Sequence, residues 1–444
     1  MEFGLGLSKI IPLLVYISGG VIVLLTLFYR IEIGIFFIVP LFPLQNLINI
    51  IHKYPLGKDF IDILILALLI KWVLNSRKET NHVFFTKTPL NLPVFALILW
   101  TYIELWMGAS YLGFPAPIKF DDFRFIMWKN FIILPIIFLI VVNNIKDPKH
   151  IKILILLMTL SMLAMDFTTY NSLKWQDKSH YNDKLGTQGT FSYLGRAELA
   201  IFYAQYTMLL VSVFLSDQNI FRKALYGITM SLNFYCLIFS YARGGYLGAF
   251  VGLSLIGLLK NRVVFVFLVL FLFSWQAFVP QAVVERIEMT HEEGEFDGTS
   301  QQRFGMWAQG IQIFLQRPIN GVGYFVIPYL GLTDGMSDMV RPHVHNAYIQ
   351  TAAELGLVGI LIFLLIFFYG IRAGWKLYKI ADDGFSKGLG FGLIACTLGN
   401  MTGNMFGCNW HYLNVMGFYW VTLALVSRSI IIFESRTKDS NNHE

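Results

Sequence analysis

Long apolar runs broken by short polar segments repeat along this chain from one end to the other. Runs of about 17 to 25 apolar residues each suffice to cross roughly 30 Å of hydrocarbon as a helix, the form that satisfies every backbone polar group internally. Their boundaries fall near 10–28, 31–51, 60–75, 91–112, 125–143, 151–170, 197–216, 224–242, 245–259, 262–280, 353–371, 385–406 and 412–433. The pattern predicts an all-α fold, a polytopic transmembrane helical bundle of 12–13 spans, the lower number applying if one of the first two segments is re-entrant or interfacial. Residues 1–444 then form a single integral membrane domain with no soluble domain left over. A Ser18, Gly19, Gly20 step mimics a signal-peptidase site, but the apolar run continues to Phe28, so the first span is expected to stay uncleaved.

Composition identifies the solvent. Charged residues make up 14% of the chain and hydrophobic ones 56%, whereas a soluble domain carries about 25% charge. The three cysteines are odd in number, and Cys236 and Cys396 lie inside apolar runs, which argues against a disulfide framework, a thiolate metal site or redox chemistry. Lysine and arginine then set the sidedness, because short cytoplasmic loops retain positive charge. Segments 71–90, 144–152, 217–223, 260–262, 372–387 and the tail from Arg428 hold the lysine-rich share and are expected in the cytoplasm. The opposite, extracytoplasmic face receives 52–59, 113–124, 171–196, the Arg243 corner, one large loop over 281–352, and 407–411.

Chemistry is expected at that large loop, the one sizeable extramembrane segment. Within it, Phe304, Trp307, Ile311 and Phe314 recur at helical spacing and predict a short amphipathic helix over 303–318 lying along the membrane surface. Pro318 ends this helix, and Gly321 and Gly323 make the following turn. The sequence shows no internal repeat, low-complexity tract or phosphate-binding glycine loop, and no nucleic-acid partner is expected.

The chain holds 20 lysines and 14 arginines, yet every basic residue placed outside after position 195 is an arginine: Arg196, Arg243, Arg286, Arg303, Arg317 and Arg341. Guanidinium grips phosphate oxygens bidentately and stays charged in a low-dielectric site, so an anionic ligand at the outer face follows. Arg286 and Arg317 have a plainer role in balancing the loop carboxylates, and Arg196 has Glu198 nearby as a local ion-pair partner. Arg196 and Arg243 stand at span ends, where an uncompensated charge is functional by default. Gly244, Gly248 and Gly252, four apart, indicate close helix packing beside Arg243.

Residues 341–359 read RPHVHNAYIQTAAELGLVG. Pro342 keeps the approach extended and Asn346 caps a helix, which puts His345 at a helix mouth on the outer face. Imidazole there accepts a hydroxyl proton near neutral pH, the task of a general base. The alternatives are an interfacial histidine without a role, or a His343/His345 metal pair, which lacks a third ligand at suitable spacing. No metal ion and no cofactor are expected.

The order of these elements across residues 190–360, a core region, resembles the O-antigen ligase and O-antigen polymerase superfamily of bacterial envelope enzymes. The resemblance rests on Arg196 near a span start, the Arg-Gly-Gly corner at 243–245, Arg303 and Trp307 in a large loop, Pro318 before Gly321 and Gly323, and His345-Asn346 followed by Gly356 and Gly359. The first 190 residues resemble the family only in hydropathy. It implies metal-independent, inverting transfer from an undecaprenyl-diphosphate-linked oligosaccharide at the periplasmic face of the inner membrane. The acceptor is a lipid core for a ligase or a growing glycan for a polymerase, and the His-Asn pattern favours the ligase. Arg196, Arg243 and Arg303 would hold the diphosphate, Arg243 would also stabilise the leaving group, and His345 would take the acceptor proton. His343, Asn346, Arg341 and Trp307 would support them. Membrane lipid and envelope polysaccharide assembly proteins are the further partners implied. The chain ends soon after residue 434, so a protein-glycosylating relative with added domains is not expected.

Two other classes compete. A transporter is suggested by Glu104, Asp166 and Lys129 in or near spans, although two related halves with paired interrupted spans are not visible. A structural scaffold would tolerate substitution of Arg243 and His345.

Overall fold

Each predicted apolar run is helical in the computed structural model, which describes residues 10–78, 84–289, 291–292, 295–296, 298–331 and 343–441. The helices are α1 (Ile10–Phe28), α2 (Ile31–Ile38), α3 (Gln45–Ile51), α4 (Phe60–Lys78), α5 (Asn91–Tyr111), α6 (Phe123–Asn144), α7 (Pro148–Leu173) and α8 (Arg196–Ser216). They continue as α9 (Ile220–Ile238), α10 (Arg243–Leu259), α11 (Arg262–Phe278), α12 (Gln281–Glu288), α13 (Gly298–Gln316), α14 (Ala347–Ile380), α15 (Gly384–Gly403) and α16 (Leu413–Asn441). A two-residue ladder pairs His291–Glu292 with Glu295–Phe296.

By length and apolar composition, seven described helices can cross a membrane alone: α1, α5, α6, α7, α8, α14 and α16. The count reaches nine when two bent pairs are each taken as one span. The rest of the expected 12–13 spans are α4, α9, α10 and α15, which are shorter or more polar but pack within the same bundle. The segment 31–51 is the irregular one. After α2 and a short 3-10 turn the chain bends by 109° into α3, and Thr190 Oγ1 donates to Pro43 O at 2.8 Å while Asn46 N donates to Thr190 O at 3.0 Å.

Small residues set the packing at the centre. Helix α8 is buried along most of its length, and α15 lies against it. A Cβ at Gly388 would come within 2.9 Å of Val213 Cα, and one at Gly392 within 2.8 Å of Leu209. Gly248 of α10 meets Gly399 O of α15, and Gly252 meets Met208 of α8, so these two glycines bring three helices to close backbone approach.

Helix α14 is broken near its start. Gly356 has φ +66°, and a Cβ there would overlap Ile319 O. The break frees carbonyls that a helix would otherwise use, and each finds a donor. Val322 N donates to Ala353 O at 3.0 Å, Gly323 N to Glu354 O at 2.9 Å, and Trp100 Nε1 to Leu355 O at 3.0 Å. In return Leu357 N donates to Pro318 O at 2.8 Å, and Tyr324 N to Glu104 O at 2.9 Å. Gly321 and Gly323 adopt positive φ and have no room for a side chain against α14 and Gly108. The turn after Pro318 is therefore a strap bonded into a helix break, and it fixes the first turns of α14.

The helix expected over 303–318 is α13. Of its apolar face, Phe304 and Ile311 are exposed, whereas Trp307 and Phe314 pack beside the buried Ile313 and Val344. Met306 and Gly310 also face inward, and Gly310, without a side chain, admits Ile349 and Val344.

Candidate active site

Three helices begin at the same end of the bundle, and the loops between them touch. Ala347 N, at the start of α14, donates to Asn404 O at 2.8 Å and Gly407 O at 3.1 Å. Phe406 from that loop packs on Gly244 beside Arg243, and Gly245 packs on Ala200 of α8. The starts of α8, α10 and α14 are thus joined through 404–407. Asn346 caps α14, its Oδ1 accepting from Tyr348 N at 3.0 Å and Ile349 N at 3.1 Å. Helix α10 starts after Ala242 without a side-chain cap, whereas at the start of α8 the Glu198 carboxylate accepts from the N–H groups of Gly195 and Glu198.

His345 is half-buried and holds φ +52°, a left-handed backbone that a side-chain-bearing residue rarely adopts. Burial pushes its pKa down to about 4, and the charges of Arg303 and His343 act in the same direction. Arg303, half-buried on α13, also exerts its field on Glu198 in the first turn of α8. The structure therefore brings Arg303, His345, His343 and Glu198 within electrostatic reach of one another. Asn346 is buried behind them, and Trp307 sits half-buried one turn from Arg303, edge-on to Phe304. Arg341 lies outside the described residues.

Arg196 is not paired with Glu198. Its guanidinium donates to Leu185 O at 2.7 Å and Tyr181 Oη at 2.9 Å, and reaches Asp183 at 4.0 Å. Arg286 lies over the other participant, the Tyr181 ring, at 4.9 Å. Loop 174–195 is thereby pinned across the start of α8. Arg317 stacks on Tyr111 at 4.9 Å, and its charge is felt by Glu104. Of the charges considered for a transport path, Lys129 is paired with Asp62, and Asp166 is buried beside Tyr203 and Cys236. Among the described residues no group of three His, Cys, Asp or Glu is placed to hold a metal ion.

Beside this cluster lies a cavity of about 630 Å³. His343, Gln350, Glu354, Cys408, His411 and Tyr412 line it from one set of segments; Gln45, His52, Asp59, Asp62, Lys129 and Asn130 line it from another. His343 Nε2 and Tyr412 Oη are 3.2 Å apart. His411 stacks near Phe131 and Tyr324, and burial, then His343, lowers its pKa to about 4. The Glu354 carboxylate accepts from Ile327 N at 3.2 Å. Sequence reasoning missed this half of the site. His411 sits outside every motif, Glu354 lies within the quoted 341–359 segment but was given no role, and the remaining lining residues come from the first 190 residues; the available signal was the run of polar residues at 45–62.

These features define a polytopic helical membrane protein with an arginine- and histidine-bearing site at one end. The model of the family described as O-antigen ligase matches residues 228–364. The match supports the O-antigen ligase and polymerase superfamily, and with it a membrane glycan enzyme of ligase or polymerase type. It spans Arg243, Arg303, Trp307, His343, His345 and Asn346, but neither Arg196 nor most of the cavity's other lining residues. No curated protein matches the chain.

Proposed function

We propose that the protein is a membrane glycosyltransferase of the O-antigen ligase type. It transfers a saccharide from undecaprenyl diphosphate to an acceptor hydroxyl at the periplasmic face of the inner membrane, with inversion and without a metal ion. The observation that carries this reading is the placement of Arg303 and His345 in one electrostatic field, at the end where α8 begins at Arg196 and α10 begins without a side-chain cap at Arg243.

The acceptor oxygen attacks the anomeric carbon as the bond from that carbon to the diphosphate oxygen breaks. The bonding electron pair leaves with the diphosphate, and the acceptor proton passes to His345. Guanidinium groups and helix N-termini fixed before the reaction stabilise the departing charge without reorganising. At neutral pH the His345 ring is uncharged, with one ring nitrogen's lone pair available, though its depressed pKa makes it a weak base. A diphosphate beside Arg303 offsets part of the cationic field on His345, so donor binding strengthens the base. Donor binding should precede proton transfer.

Purified protein incubated with a lipid-diphosphate glycan and two acceptors, a lipid core and a second lipid-linked glycan, tests the reading. Transfer to lipid core with release of undecaprenyl diphosphate is expected. Chain growth alone would make it a polymerase; solute movement without diphosphate release would make it a transporter.

A further inference from the structure

The cavity has a chemical character of its own. Arg196, Arg243 and Arg303 are not among the residues that line it. Its lysines, Lys58 and Lys129, are outnumbered by the carboxylates of Asp59, Asp62 and Glu354, and Lys129 is paired with Asp62. The rest of the lining includes aromatic faces from Tyr324 and Tyr412, amides from Gln45, Asn130 and Gln350, and the imidazoles of His52, His343 and His411. Gln350 is 3% exposed, and its Oε1 has no hydrogen-bond partner among the described residues. A buried acceptor of this kind is costly unless a ligand or water donates to it. The volume lies within the roughly 300–1,000 Å³ typical of small-molecule sites. Such a lining suits a ligand rich in hydroxyls with an apolar ring face, and it does not suit a diphosphate.

The lining residues also differ in origin. His343, Gln350 and Glu354 come from the matched segment 228–364. His411 and Tyr412, and the lining residues from α3, α4, α6 and the loop before α4, lie outside that segment. The matched segment thus supplies His343 to a cavity completed by distant parts of the chain.

We infer that this cavity binds the acceptor saccharide, and that Asn130, Asp59 and the Asp62–Lys129 pair in its lining set which acceptor is used. The identification as acceptor rests on the glycosyl transfer proposed above: the substrate that surrenders a hydroxyl proton must reach the histidine-bearing wall, whereas the diphosphate belongs with the arginines. The donor's charged portion stays on the other side of the 343–346 and 404–412 segments.

Asn130 is exposed to the cavity and makes no hydrogen bond among the described residues, so Asn130→Cys should fold normally. Cys236, Cys396 and Cys408 are buried, and the wild-type protein treated in parallel controls for them. Coupling benzyl methanethiosulfonate to the introduced thiol should raise the KM for acceptor by at least about tenfold, leave the donor KM unchanged, and be reversed by reductant. Acceptor glycan free of diphosphate should slow the coupling, while undecaprenyl diphosphate lacking sugar should not. An unchanged acceptor KM, or equal protection by undecaprenyl diphosphate, overturns the inference. Protection by acceptor glycan in a protein that transfers nothing would retain the saccharide site and refute the transferase reading, so the two failures are distinguishable.

Discussion

At the scale of single residues, the assignment of roles turns on His345 and the arginines. A base acting on an acceptor hydroxyl contributes about 10²- to 10⁴-fold, so His345→Ala should lower kcat by that factor with donor affinity nearly intact. His343 lines the cavity rather than the arginine side, and His343→Ala should act on acceptor KM more than on kcat. Single-turnover assays with separate donor-binding measurements decide both. The pH dependence follows from the depressed pKa of His345. Its ring stays uncharged down to about 4 in the unliganded protein, so kcat/KM for donor should hold through pH 5–6, where an ordinary histidine of about 6.5 would be in its charged form. Once the diphosphate offsets Arg303, the acid limb of kcat should lie at higher pH than that of kcat/KM. Coincident limbs near 6.5 would remove His345 as the base. Arg243→Lys retains charge but loses the fork, and should lose most activity while the protein still inserts. Near-normal turnover of that variant would return Arg243 to a packing or topology role. Sequence alone pointed to Arg243 at a span end, His345 at a helix mouth and Arg303 in the large loop, because their residue types at those places are hard to explain by packing. His411 and Gln350 were not legible, since their importance comes from a cavity assembled by distant segments.

At the scale of elements, the break in α14 is the feature on which the site geometry depends. Gly356 at φ +66° meets Ile319 O, and the strap from Pro318 to Tyr324 supplies donors to the freed carbonyls. Gly356→Ala adds roughly 1–3 kcal/mol of backbone strain before any steric overlap is counted. It should lower the thermal midpoint and reduce activity by displacing His345. Gly305, on the same loop's helix but with open space around it, gives the contrast: Gly305→Ala should be neutral or stabilise by up to about 1 kcal/mol. Differential scanning fluorimetry of both variants in detergent checks the pair, and equal midpoints would show that the strap does not hold the break. The glycines at 321, 323 and 356 were visible in the sequence as a pattern, but the pairing of one with another across 33 to 35 residues was not. Helix α13 was legible from its apolar spacing, whereas its contact with α14 was not, because at Gly310 a missing side chain makes room for Ile349 and Val344 and periodicity reports only the side chains that are present.

At the scale of the whole molecule, the charge distribution predicts sidedness. Positions near 300 should react in intact cells with an impermeant thiol reagent after single-cysteine substitution, and positions near 375 should not; the reverse result would invert the bundle and move the proposed site to the cytoplasm. The sequence by itself determined that this chain dissolves in a bilayer and where its apolar helical runs lie, though not that 31–51 is bent or that α14 extends from 347 to 380. Those properties follow from the free energy of apolar transfer and of charge in hydrocarbon, which act on each segment separately. The tertiary structure alone decided that segments near 45–62 and 120–133 line one cavity with residues 343–354, and that Arg196 is tied to its loop rather than to Glu198. Lipid solvates every span alike, so hydropathy carries no information about which helices are neighbours. Neighbours are chosen by close-packing glycines and by the few buried polar groups that must find partners.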